Sequence, residues 1–157
     1  MGLDTSHDCW HGAYSAFHRW RKEIAKHIGI PLDLMEGFYN HCEISFEDFE
    51  NLLISSKDET YPSWARDLCL GVTNDILPLK WESFKPNPLH YLLHHSDCDG
   101  NIPWSKCRKM ANELEKIMPL LPTDSGGGHI GDWHDKTQKF IDGLRAAYTE
   151  KQNVIFS

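Results

Sequence analysis

Apolar residues recur at helical spacing from Trp10 through Ala13, Tyr14, Phe17 and Ile24 to Ile28, where Gly29 and Pro31 stop the pattern. Asp4, Thr5 and Ser6 stand ahead of this run as capping residues, so the pattern predicts a first helix that opens beside them. On a wheel of about 100° per residue, His7, His11, Tyr14 and His18 then share a narrow sector beside the apolar stripe. Further on, SFED at 45–48 has capping-box character and leads into Phe46, Phe49, Leu52 and Leu53. Ser63 can cap another helix whose buried side is Trp64, Leu68, Cys69, Val72 and Ile76. The prolines of LPLKWESFKPNP interrupt the period and predict a wrapped loop.

Beyond Pro88, LHYLLHH reads as a short helix, and Pro103 opens a longer one with the face Cys107, Met110, Ala111, Leu114 and Ile117. Pro119 and Pro122 end it. After the glycine-rich TDSGGGHIGD, the residues Trp133, Thr137, Phe140, Ile141, Leu144 and Tyr148 mark a last helix. The closing NVIFS has strand composition and is expected to pair with GLD near the start. The fold class expected is mainly α: one compact helical domain over residues 1–157, with a helix-loop-helix in the middle and a minor terminal strand pair.

Composition narrows the function classes. A formal net charge of -7 opposes loose binding to nucleic acid, which depends on cations displacing counterions from phosphates. Apolar runs such as MPLLP and LCLGV are far shorter than the roughly 20 residues that span a bilayer. Five cysteines, Cys9, Cys42, Cys69, Cys98 and Cys107, form an odd set without CxxC spacing, so a reducing cytoplasm fits better than a disulfide framework. Cys69 and Cys107 fall on apolar faces and are read as packing residues. Cys9, between His7 and His11, is a nucleophile candidate that an imidazole would activate.

The candidate chemistry gathers in HSDCDG, residues 95–100. Asp97, Asp99, Gly100 and Ile102 occupy the third, fifth, sixth and eighth places of an EF-hand-like calcium loop. His95 in the first place and Lys106 in the twelfth depart from it, and a lysine cannot ligate a cation. A second arrangement joins distant segments: His7 and His11 at i and i+4 supply two nitrogens, and His95, Asp97 or Asp99 complete a zinc or manganese site. Neither a P-loop nor a dinucleotide fingerprint occurs in GGGHIGDWH, but its glycines let backbone amides approach an anion, and His129, Trp133 and His134 can cover a ligand. Of the six tryptophans, Trp10 and Trp64 are in phase with their helices, whereas Trp20, Trp104 and Trp133 stand beside polar clusters as pocket candidates.

Two resemblances attach to these segments. HSDCDG is similar to the first motif of the DHH phosphoesterases, which implies a histidine and two aspartates gathering manganese for phosphodiester hydrolysis. That family's later histidine pair, parallel sheet and greater length are missing. MGLDTSHDCWHGAYSAFHRWR, LHYLLHHSDCDGNIP and KTQKFIDGLRAA together resemble a group of small proteins of bacterial and phage type that carries no activity to transfer. The resemblance implies that HDCW and HSDCDG occur together and meet in space.

The expected function is therefore a small-ligand or metal-binding protein with a pocket between the first helix and the HSDCDG loop. Asp97, Asp99, His7, His11 and His95 are the metal set for zinc, manganese or calcium. Trp10, Trp104, His129, Trp133 and His134 are the contacts for a small polar or nucleotide-like ligand. The alternatives are a metal-dependent hydrolase of a phosphodiester or nucleotide, using the same residues, and a structural or interaction protein without catalysis.

Overall fold

The computed structural model describes residues 2–38, 79–96, 98–124 and 130–157. The two helices expected around Phe46 and Ser63 lie outside them, as do Asp97 and His129. The structure is mostly helical with two small antiparallel strand pairs. The chain divides into two compact units, one of residues 1–24 and 87–157 and the other of residues 25–86.

The first unit opens with an antiparallel pair, β1 (Gly2–Asp4) against β2 (His11–Ala13), in the register Leu3↔Gly12. The connecting turn contains a 3-10 segment, Ser6–Asp8. Thr5 closes it: the Trp10 amide donates to Thr5 Oγ1 at 2.7 Å, and the Thr5 amide donates to the Trp10 carbonyl at 3.0 Å. The first helix, α1 (Tyr14–His27), therefore starts later than the apolar spacing predicts. The reason is in the backbone: His7 and Asp8 stand at φ 61° and 52°, and Gly12 at φ 153°, none of which a right-handed helix adopts. His7 and His11 consequently do not form the helical i, i+4 pair expected of them, and the four-residue sector with Tyr14 and His18 does not exist. Trp10 nevertheless enters the same core as the helix face, with its ring 5.1 Å from Phe17 and 5.4 Å from Trp20.

Past Pro88 come α2 (His90–Leu93), the loop through Gly100, β3 (Asn101–Ile102) and α3 (Trp104–Ile117). In α3 every residue of the expected face, Cys107, Met110, Ala111, Leu114 and Ile117, is buried. The last helix, α4 (Trp133–Glu150), packs on α3, and its first turn is capped by Asp132, whose carboxylate accepts the His134 and Asp135 amides. Lys151 ends it in a left-handed conformation, and β4 (Val154–Ile155) follows.

The principal partner of β4 is β3, in the register Ile102↔Val154, rather than the amino-terminal strand alone. The expected terminal pairing is present just beyond it: Thr5 bridges Phe156, and Asp4 and Ser157 exchange backbone hydrogen bonds of 3.0 Å in both directions. The Phe156 amide donates to the Gly100 carbonyl at 3.0 Å, and Ser6 Oγ accepts the Ile155 amide at 2.9 Å. The carboxy-terminal residues thus tie the opening turn to the loop that ends in Gly100.

Behind these strands Phe17, Trp20, Phe140 and Phe156 cluster with Trp10, Trp20 lying 4.8 Å from Phe140 and Phe17 5.8 Å from Phe156. Trp20, a pocket candidate on sequence grounds, is fully buried here; its indole N–H donates to Thr137 Oγ1 at 2.9 Å, and that hydroxyl donates to the Trp133 carbonyl at 2.8 Å. The second unit shows a parallel bridge between Met35 and Leu79, with the Trp81 indole N–H donating to the Glu36 carbonyl at 3.3 Å.

Thr137→Val keeps the shape of the side chain but strands the Trp20 donor, so urea unfolding is expected to show a loss of about 1–3 kcal/mol. An unchanged midpoint would mean that the hydroxyl contributes nothing to the core.

Candidate functional site

A cleft of about 620 Å³ lies between the opening turn and α4. One wall is the run His7, Asp8, Cys9, Trp10 and His11; the other is a single face of α4, namely Lys136, Lys139, Asp142, Gly143 and Ala146. The spacing of three and four residues along α4 brings these side chains to one side. Gly143 lets the walls meet: a β-carbon there would collide with Cys9 Sγ and stand 2.6 Å from the His7 carbonyl oxygen. The cleft exists where the turn rests on the helix without a side chain between them.

Its charges are partly paired. Lys139 meets Asp135 at 3.2 Å, and Asp142 accepts from Gln138 at 2.8 Å. Lys136 reaches across the cleft, with Nζ donating to the His11 carbonyl at 3.1 Å and lying 4.8 Å from the centre of the Trp10 ring. His7 is held on both ring nitrogens, with Nδ1 2.9 Å from Ser6 Oγ and Nε2 3.2 Å from Glu150 Oε2. His11 pairs with Asp4, but both side chains are exposed, and such pairs contribute little.

Cys9 does not have the character of a nucleophile. It is buried against Gly143, and burial, with Cys107 nearby, pushes its thiol up to about 12. Cys107 is likewise pushed up by burial, to about 11. Both thiols stay protonated in the folded chain at neutral pH; they contribute stability below about pH 9, which is lost as pH rises towards those values.

The remaining candidates are dispersed. His95 stacks 4.3 Å from Phe156, and its Nδ1 lies 2.8 Å from the Ser96 carbonyl. Asp99 is exposed, and Gly100, at φ 93°, makes the turn into β3. The loop is fastened from beneath by buried Arg21, which donates to the His95 carbonyl at 2.7 Å and the Leu93 carbonyl at 3.3 Å. His90, at the head of α2, is lowered by burial and by His94. Trp104 is half-buried against Tyr148, Trp133 is buried in the core, and His134 Nε2 faces the Leu121 carbonyl at 3.3 Å.

Of the expected site residues, then, the cleft takes His7, Trp10 and His11; His95, Asp99, Trp104, Trp133 and His134 lie elsewhere. Among the described residues no group of three or more histidine, cysteine or acidic side chains is placed to hold a metal ion. Lys136, Lys139 and Asp142 were not anticipated. Their signal was a polar and small-residue stripe beside the apolar face of KTQKFIDGLRAA.

In comparisons with known proteins, no family model matches the chain, nor does any curated protein or solved structure.

Gly143→Ala is expected to destabilise the chain by about 1–3 kcal/mol, because overpacking against backbone outweighs the helix propensity that alanine adds. A gain in melting temperature would show that the turn yields freely. In the folded protein, iodoacetamide is expected to label exposed Cys98 well before Cys9 or Cys107, as read by peptide mass mapping.

Proposed function

We propose that the protein binds a small polar ligand in the cleft between the opening turn and α4. The observation that carries this reading is the convergence there of His7 and His11 with Lys136 and Lys139, from segments more than a hundred residues apart, around an open volume of about 620 Å³. That volume falls within the range of small-molecule pockets, and an apolar floor with few convergent polar groups is their usual composition. Trp10 supplies the floor, and the lysines and histidines supply the polar contacts.

A nucleotide-like ligand fits the reading through its charged group rather than through base stacking, because the Trp10 ring is buried and overlaid by Lys136. The metal-dependent alternative would have to assemble ligands from His7, engaged with Ser6 and Glu150, and His95, stacked on Phe156. Among the described residues no geometry favours it over simple binding.

The test is a panel of phosphorylated and carboxylated small molecules followed by amide-proton NMR. A cleft ligand shifts the resonances of residues 7–11 and 136–146 and, at about a hundred times its Kd, adds about 2.7 kcal/mol to stability. A ligand whose shifts map to other residues overturns the assignment of the cleft.

A further inference from the structure

Two indoles share the aromatic core, 5.4 Å apart, and among the described residues only one has a partner for its N–H. Trp20 donates to Thr137 Oγ1. Trp10 is 2% exposed, and its Nε1 finds no acceptor among the described residues. A buried donor without an acceptor is costly, so the chain keeps Trp10 at a disadvantage that phenylalanine would avoid.

The neighbours of that nitrogen show what would satisfy it. A β-carbon built on Gly12 would lie 3.6 Å from Trp10 Nε1 and 3.8 Å from Lys136 Nζ. The indole donor and the ammonium thus flank one small space, which is open because residue 12 has no side chain and which the φ of 153° reserves for glycine. An indole N–H can only donate, and so can an ammonium. The complement of two donors, one of them charged, is an oxygen that carries negative charge.

We propose that Trp10 Nε1 and Lys136 Nζ form a seat beside Gly12 for one oxygen of a carboxylate or phosphate on the cleft ligand. This rests on the cleft being the ligand site and adds the chemical class of the group that anchors there. Lys136 Nζ lies 4.8 Å from the centre of the Trp10 ring while one of its three protons is given to the His11 carbonyl. Its long side chain lets the ammonium pivot about that bond, admit the oxygen and keep contact with it. Asp8 and Asp142 also line the cleft, so a ligand with a cationic group further along would find carboxylates there.

The experiment follows the indole N–H signals by nitrogen-proton correlation NMR in the full chain, with acetate and inorganic phosphate titrated separately against a sodium chloride control. The Trp10 signal is identified by its loss in Trp10→Phe. It is expected to move downfield and saturate with one or both anions, while the Trp20 signal, already bonded to Thr137, stays. Acetate alone would mark a carboxylate seat and phosphate alone a phosphate seat; either result supports the proposal. Lys136→Met, which keeps the length of the stem, is expected to weaken the response about tenfold or more. If the amides of residues 7–11 and 136–146 respond while the Trp10 indole does not, the seat is wrong and the cleft reading stands. Silence at all of these signals with both anions overturns the seat, and silence there with the wider panel overturns the cleft reading as well.

Discussion

The contact between the opening turn and α4 depends on the absence of a side chain at Gly143. Because nothing projects from the helix at that point, the His7 carbonyl and Cys9 can lie directly on it. That seating sends Trp10 into the aromatic core and brings the His7–His11 backbone alongside the lysines of α4. One residue thus sets both the packing of the amino terminus and the width of the cleft. Glycine within a helix costs about 1 kcal/mol relative to alanine, a cost the close approach offsets through the burial it permits.

The second tie is the carboxy-terminal strand. It hydrogen-bonds to β3 on one side and to Asp4 and Ser6 on the other, while Phe156 inserts between Phe17 and His95. Arg21 secures the same loop from the helix side through the His95 carbonyl. The turn of residues 5–10 and the loop that ends in Gly100 are both tied to this strand. Their imidazoles take separate partners: Glu150 for His7, Asp4 for His11 and the Phe156 ring for His95.

The sequence pattern was most informative where burial is one-sided and local. The face of α3 could be read residue by residue, and in α4 only Tyr148 of the expected face falls short of full burial. Pattern failed at the amino terminus, because Trp10 and Ala13 fall in helical phase by coincidence while Thr5 and Gly12 impose a hairpin through hydrogen bonds and φ angles that a hydrophobic period does not register. His7, Trp10 and His11 stood out in the sequence, the two histidines for a helical spacing the structure does not contain, and all three line the cleft. Lys136 and Lys139 did not stand out, since cations on an amphipathic helix ordinarily read as its solvated side, and only tertiary packing turns that side towards the cleft. The terminal pairing was half legible: composition marked NVIFS as a strand but carried no information that Asn101 and Ile102 would be its nearer partners.

The strand that joins Asp4 to Ser157 also constrains how the molecule is made. Residues 2–24 belong to a unit whose other part begins only at residue 87, with a separate compact unit between them. The entropy of closing so long a loop grows slowly with its length, but contacts of such sequence separation form late and retard folding. The opening segment therefore completes its packing late, since Phe17 lacks the ring of Phe156 until residues 154–157 are in place.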